Sequence, residues 1–179
     1  ASAAPSRPQT GTAIVDLLRA ALEAADVQAP YVLVGRQRGG LYVNLYARLF
    51  PQELAGVLLL AATHPDDDDL ERRFPLALAP RHARLHGEQR FAAQVALEIE
   101  QAGPFPDVPL TVVSSGRAPP WAAVARERTE SHNARQQQLV ALSTKGKHIV
   151  VPRLGLFPQA SDAEVVVQAV REIIASCKN

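Results

Sequence analysis

The sequence predicts an α/β fold in which a mostly parallel sheet lies between layers of helices. Segments with helical spacing of apolar residues alternate with short, continuous apolar runs, and such runs are typical of parallel strands that are covered on both faces. The chain has 179 residues, of which 47% are hydrophobic and 21% are charged. That length and composition indicate one soluble globular domain, and we assign residues 1–179 to it.

The first half of the chain contains a predicted strand–helix–strand unit. Apolar residues recur at steps of three and four over Thr12–Ala25, which predicts an amphipathic helix. The apolar run Tyr31–Val34 predicts a strand that ends at Gly35. Helical spacing then covers Leu41–Phe50, and Gly56–Leu60 predicts a second buried strand. Two strands joined by a helix are expected to lie parallel.

The second half continues the alternation after an interruption. Residues 66–106 are predicted to form a cap-like excursion over one face of the sheet, because acidic and basic residues are mixed there before helical spacing returns. A third strand is predicted at Leu110–Val113, followed by a polar helix from about Pro120 to Leu142. A fourth strand at His148–Val151 and a final helix at Ala163–Ala175 complete the predicted fold.

Composition excludes several classes of function. A net charge of +1 gives no reason to expect nucleic acid, and Arg81–Arg90 lacks the interleaved aromatic residues of a nucleic-acid surface. The longest apolar run, Gly56–Ala62, is too short to cross a membrane. The single cysteine, Cys177, cannot form an internal disulfide. The acidic run Asp66–Asp69 lacks the alternation of a calcium loop, so no metal and no cofactor are predicted.

The amino-terminal segment Ala1–Thr10 is rich in alanine, serine and proline, and it has no hydrophobic run of a signal peptide. The sequence contains no methionine, so we expect it to begin at a processed or trimmed end. The localisation stays open, with the cytoplasm favoured.

One segment resembles a known family. Pro30–Tyr42, with its Gly-Arg-Gln-Arg-Gly-Gly turn, resembles the strand, nucleophile elbow and helix of α/β-hydrolases, whose elbow reads Gly-x-Ser-x-Gly. Phe50–Leu60 and Pro109–Gly116 resemble the strands that follow. The resemblance implies a partial α/β-hydrolase fold, from the elbow strand onward. The family's earlier strands, and the loop that supplies half of its oxyanion hole, would precede Ala1.

The catalytic triad of the family has no counterpart at the matching positions. Gln37 occupies the position of the nucleophile, and a carboxamide cannot form an acyl intermediate. Ala61 occupies the position of the acid, and an ungapped match places Leu156 at the position of the histidine. The resemblance therefore implies a degenerate, inactive member of the family, a pseudoenzyme in which no catalytic residue is assigned.

An active hydrolase with an unrecognised nucleophile, esterase-like or peptidase-like, is the alternative. Ser114 and Ser115 are the candidates for this role, and they are expected to follow the third strand without a strained turn. His148 is a candidate base, but it is expected at the start of the fourth strand, at the opposite end of the sheet from the elbow.

The elbow is also a candidate ligand site formed by Arg36, Gln37, Arg38 and Gly39. Two guanidinium groups beside the amino end of a helix favour a phosphate or carboxylate ligand. The alternative is that these arginines pair with Asp66–Asp69 or face water, which is the usual situation of surface arginines.

The strand Tyr31–Val34 carries a prediction about partners. If nothing precedes it in the sheet, it is an edge strand whose apolar side chains and free backbone groups favour pairing. Such an edge could pair with a second copy of the chain or accept a strand from another protein. The alternative is that an upstream segment covers it.

Overall fold

The structure is a computed structural model that describes residues 10–67, 82–116, 125–152 and 161–177. Four strands and five helices alternate through these ranges. They are α1 (Gly11–Ala24), β1 (Tyr31–Arg36), α2 (Gly39–Leu49), β2 (Leu54–Leu60), α3 (His82–Gln101), β3 (Leu110–Ser115), α4 (Ala125–Val140), β4 (Gly146–Val151) and α5 (Ala163–Ser176). Short 3₁₀ turns occupy Pro51–Glu53 and Pro65–Asp67.

The four strands form one parallel sheet in the order β1-β2-β3-β4. Parallel strands place all their carboxyl ends along the same edge of the sheet. The segments that follow β1, β2 and β3 therefore meet at one end of the molecule, and the elbow lies at that end.

Two apolar clusters cover the two faces of the sheet. The larger one joins α1, α2, α3 and α4 to the sheet, and the fully buried Tyr46 and Val95 belong to it. The smaller one joins α5 to β2 and β3 through Ala169 and Ile173. The arrangement is a three-layer α/β fold, as the sequence predicts, and none of the described helices is long and apolar enough to span a membrane.

Two predicted strands end later than expected. β1 continues through Gly35 to Arg36, because Gly35 and Arg36 pair in register with Leu59 and Leu60 of β2. β3 includes Ser114, which the sequence analysis placed after the strand, together with Ser115. Polar residues and a glycine remain in the strands here because the neighbouring strand continues the hydrogen-bonded ladder.

The described part of the 66–106 segment packs against the main body. Within α3, Ala92, Val95 and Ile99 are buried in the larger cluster. The Glu98 carboxylate also accepts hydrogen bonds from the backbone N–H groups of Gly11 and Thr12, at 3.2 and 2.7 Å. Glu98 thereby satisfies free donors at the start of α1 and ties α3 to it.

Candidate functional site

The turn between β1 and α2 is a sharp elbow with Gln37 at its tip. Gln37 has a φ of 48°, a left-handed conformation that residues other than glycine adopt at a cost. Its side chain is exposed to solvent. In α/β-hydrolases, which this segment resembles, the nucleophile is a strained, exposed residue in the turn between a strand and a helix.

Hydrogen bonds from two directions hold Gln37 in place. Its N–H donates to the Leu60 carbonyl at 3.2 Å, so β2 fixes the start of the turn. Its carbonyl accepts from Gly40 N at 2.9 Å and from Thr63 N at 3.0 Å, which ties the elbow to the turn after β2. That second turn contains Ala61, whose φ is also positive, at 43°. The hydrogen bond from Thr63 to Gln37 therefore links the two turns.

Close backbone packing explains two of the three glycines in the elbow. A Cβ atom on Gly35 would lie 2.8 Å from Gly40 Cα, and one on Gly40 would lie 2.5 Å from Ala62 Cβ. Both contacts are too short for a real side chain. A Cβ on Gly39 would meet nothing within 4 Å. The elbow therefore depends on Gly35 and Gly40, and Gly39 is not required by packing.

Two of the three positions matched to the catalytic triad lie among the described residues. Gln37 offers an amide at the tip, and Ala61 offers a methyl group at the end of β2. Leu156, the position matched to the histidine, lies outside the described residues. At the two described positions, the structure places no nucleophile and no carboxylate.

Two arginines lie next to the amino end of α2 in the chain. Arg36 ends β1, Arg38 is the N-cap residue of α2, and the first turn of that helix carries no acidic residue. Burial raises the pKa of Tyr42, and the positive charge of Arg38 opposes this shift. Arg38 is thus close enough to the Tyr42 hydroxyl to act on it. Both arginines also make interactions of their own within the chain.

Solved structures with similar coordinates identify the fold. A thermophilic esterase from Thermogutta terrifontis superposes with a TM-score of 0.61 at 18% identity, covering 99% of this chain and 76% of that one. The chain has an α/β-hydrolase fold. An enol-lactonase from Burkholderia xenovorans gives a TM-score of 0.58 at 16% identity, covering 96% of this chain and 75% of that one. MenH from S. aureus gives 0.60 at 12% identity, covering 100% and 80%.

The α/β-hydrolase fold predicted from the elbow is therefore confirmed, and β1, α2 and β2 are its elbow unit. No family profile matches the chain. An uncharacterised protein of Schizosaccharomyces pombe is 40% identical over 55 residues, a match that covers 31% of this chain and 10% of that protein. At the identities found, the solved structures indicate the fold and leave activity open.

A second group of polar side chains lies between β3 and β4. Ser114 Oγ is 2.7 Å from His148 Nε2, and His148 Nδ1 is 2.8 Å from the amide nitrogen of Gln137 on α4. The sequence does not link Ser114 to His148, and it predicts His148 at the opposite end of the sheet from the elbow. That expectation was wrong. His148 pairs in register with Val112, Val112 pairs with Leu59, and Leu59 pairs with Gly35. His148 is therefore level with the end of β1, next to the elbow.

Burial and hydrogen bonding define the environment of this group. Ser114 is fully buried, with 0% of its surface exposed. Because the Gln137 amide nitrogen is a donor, His148 Nδ1 must accept, and its proton lies on Nε2 and donates to Ser114. Burial lowers the pKa of His148. A base for Ser114 would instead need a free lone pair on Nε2 and an acceptor at Nδ1.

A further polar residue, Gln136, supports the turn after β2. Its side chain is fully buried, and its amide nitrogen donates to the Ala62 carbonyl at 2.8 Å. Its Oε1 atom has no hydrogen-bond partner among the described residues. Gln136 is not among the candidate residues predicted from the sequence, because a glutamine in a polar helix carries no signal that it will be buried.

The acidic run contributes one described side chain. Asp66 lies 3.5 Å from His64 Nδ1 and 3.9 Å from the Arg135 guanidinium. Across the described ranges, no three histidine, cysteine or acidic side chains are grouped as metal ligands.

Proposed function

We propose that this protein is a non-catalytic α/β-hydrolase-fold protein, a pseudoenzyme that acts by binding or assembly. The observation that carries the proposal is the elbow. Its backbone keeps the strained conformation at Gln37 and the close packing of Gly35 on Gly40, while the residue at its tip has no nucleophilic group.

The chemistry follows from the two described triad positions. An amide nitrogen has its lone pair delocalised into the carbonyl, so Gln37 cannot attack an ester or peptide carbon. A methyl group at Ala61 cannot orient or stabilise a protonated histidine. Acyl transfer at this elbow would therefore lack two of the groups that such catalysis requires.

We extend the proposal to a ligand, namely a small anion such as phosphate or a carboxylate at Arg36, Gln37, Arg38 and Gly39. Arg36 and Arg38 flank Gln37 in the chain, and the amino end of α2, which is the positive end of its dipole, lies next to it. Gln37 would add an amide donor. The exposed position of Gln37 leaves the tip open to a ligand.

The test of inactivity uses a fluorophosphonate probe and p-nitrophenyl acetate turnover. The wild-type protein is expected to be unlabelled and inert. The Gln37→Ser variant places a hydroxyl on the strained tip, and the matched Gln37→Asn variant keeps an amide there. Labelling of wild type would overturn the proposal, and peptide mapping of the adduct would identify the nucleophile.

A second candidate function is an active hydrolase that uses Ser114, and the short Ser114–His148 contact favours it. If this function is correct, the fluorophosphonate probe should label the wild-type protein, and the Ser114→Ala substitution should abolish the labelling. The complete burial of Ser114 and the position of the His148 proton both count against it.

The anion proposal is tested by titrating inorganic phosphate into the protein in a calorimeter. Binding is expected to weaken at least about tenfold when Arg36 and Arg38 are both changed to glutamine, because charge-assisted hydrogen bonds are lost. Arg171→Gln, an exposed arginine on α5, is the matched control and should leave binding unchanged. Absence of heat with wild type would overturn this part of the proposal.

A further inference from the structure

A surface cavity of about 220 Å³ lies where α2, α3, α4 and the turn after β2 meet. Asn44 and Arg48 on α2 contribute polar groups to its lining, and α3 and α4 contribute apolar side chains. At the roughly 30 Å³ that a water molecule takes up in the liquid, this volume holds about seven non-hydrogen atoms. None of the elbow residues 36–39 lines the cavity, so it is a separate place on the molecule.

Arg48, in the last turn of α2, is a half-buried cation that has no carboxylate partner in the described part of the chain. Its Nε donates to Asn44 Oδ1 at 2.8 Å and its Nη1 donates to the Gly103 carbonyl at 2.9 Å, and both acceptors are neutral. Burial lowers the pKa of Arg48, whereas the hydrogen bond to Glu53 raises the pKa of Arg19. The carboxyl end of α2 offsets only about half an elementary charge. Arg48 therefore retains positive charge without a counter-ion.

Asn44 contributes a second donor to the cavity. Its side chain is 2% exposed, and its Oδ1 atom accepts from Arg48, which fixes the orientation of the amide because a guanidinium N–H needs an acceptor. No hydrogen bond within the described ranges uses the Nδ2 atom of Asn44. Buried amide groups usually have hydrogen-bond partners, so an unused donor of this kind indicates a place for an acceptor.

The wall of the cavity includes apolar side chains, since Ile99 is 3% exposed and Leu139 is 1% exposed. The two carboxylates of the lining belong to Asp66 and Glu100, which are exposed residues, so water and salt screen their charge. Asp66 also lies 3.9 Å from the Arg135 guanidinium, which offsets its charge. The cavity thus combines a cation and an amide donor with an apolar wall.

From these observations we infer that the cavity binds a small carboxylate that carries a short apolar body. The carboxylate accepts hydrogen bonds from the Arg48 guanidinium and the Asn44 amide, and it supplies the counter-charge that Arg48 lacks. The apolar body lies against Ile99 and Leu139 and is removed from water there. Inorganic phosphate is a poorer match, because it would leave this apolar wall uncovered. The inference does not depend on the proposed function, since it concerns a different site.

The first experiment titrates 3-methylbutanoate, a branched carboxylate that matches the cavity in size, into the full chain and follows binding by heteronuclear NMR. A dissociation constant of about 1 mM or tighter is expected, with shifts of the Asn44 side-chain amide resonances. Absence of these shifts at millimolar ligand would overturn the inference.

Two neutral or cationic analogues test the recognition of charge on the unchanged protein. The neutral 3-methylbutanamide has the same shape as the carboxylate and should bind at least about tenfold more weakly. The cationic 3-methylbutylamine should not bind. If the amide binds as tightly as the carboxylate, Arg48 does not recognise charge and the inference is wrong. If the amine binds more tightly, the carboxylates of Asp66 and Glu100 dominate the cavity, and the inference is equally wrong.

Variants separate this site from the elbow. Arg48→Gln should weaken the binding of 3-methylbutanoate at least about tenfold, and circular dichroism checks that the variant is folded. The double variant with Arg36→Gln and Arg38→Gln is the matched control and should leave this binding unchanged, because neither residue lines the cavity. If the double variant abolishes binding and Arg48→Gln does not, the carboxylate occupies the elbow, and the inference is overturned while the anion proposal for the elbow gains support.

Discussion

The elbow after β1 and the Ser114–His148 pair between β3 and β4 are opposites. At the elbow, the backbone has the strained and exposed geometry of a catalytic turn, but the residue at its tip is a glutamine. Between β3 and β4, a serine touches a histidine at 2.7 Å, but the serine is fully buried and the histidine proton points at it. Each region has one half of what nucleophilic catalysis requires.

The difference shows that residue type and backbone geometry contribute separately to a site. A serine beside a histidine becomes a nucleophile only when substrate can reach it and a third group orients the base. A strained turn becomes catalytic only when it carries a group that can attack. In this protein, the elbow has the access and the β3–β4 pair has the side chains, and they lie at different places.

The largest expected change in stability comes from a substitution that disrupts the elbow. Gly35→Ala should lower the free energy of unfolding by about 3 kcal/mol, because the new Cβ would lie 2.8 Å from backbone that cannot move independently. Urea denaturation measures the change. Gly39→Ala is the matched control and should stay within about 1 kcal/mol of wild type, because a Cβ there meets nothing within 4 Å. Equal losses in both variants would contradict the packing argument.

The next effect tests the β3–β4 pair as a structural element. Ser114→Ala should lower the free energy of unfolding by about 2 kcal/mol, since the fully buried Ser114 side chain is truncated and the half-buried His148 Nε2–H loses its acceptor. Ser176→Ala, at an exposed helix end, should change it by less than about 0.5 kcal/mol. If the Ser114→Ala protein is as stable as wild type and has lost an esterase activity that wild type shows, the pair is catalytic. The functional site would then be the β3–β4 pair and not the elbow.

A smaller change in stability is expected when the backbone strain at the elbow is removed. Gln37→Gly should raise the free energy of unfolding by about 1 kcal/mol, because glycine adopts a φ of 48° without a steric penalty. Thermal unfolding followed by circular dichroism checks this. If the variant is less stable than wild type, the Gln37 side chain makes contacts that outweigh the strain. The side chain would then contribute to the stability of the elbow as well as the backbone.

The smallest effect concerns pH. Burial lowers the pKa of His148 in the folded state below the ordinary value of 6.5, so the unfolded chain binds the proton more readily. Stability should therefore fall slightly as pH drops from above 6.5 towards the folded-state pKa. His148→Gln should remove this part of the pH dependence, which denaturation at several pH values would show. An unchanged slope would mean that other groups produce it.

Much of the fold could be predicted because it depends on local patterns. The helical spacing in α1 and α5 and the apolar runs of the four strands set the order of elements to within a few residues. Strand ends were less predictable, since Arg36 and Ser114 stay in strands only because neighbouring strands continue beside them. At the elbow, the glycine spacing indicated the turn, but the separate roles of Gly35, Gly39 and Gly40 required knowledge of what lies next to each.

The sequence by itself determined the α/β class, the elbow and the absence of a nucleophile at its tip, because these follow from residue type and spacing along the chain. Only the tertiary structure decided that Ser114 meets His148 and that Gln136 is buried at Ala62. Those features join residues from different elements, and their distances depend on how strands and helices pack. No local pattern in the sequence encodes such distances.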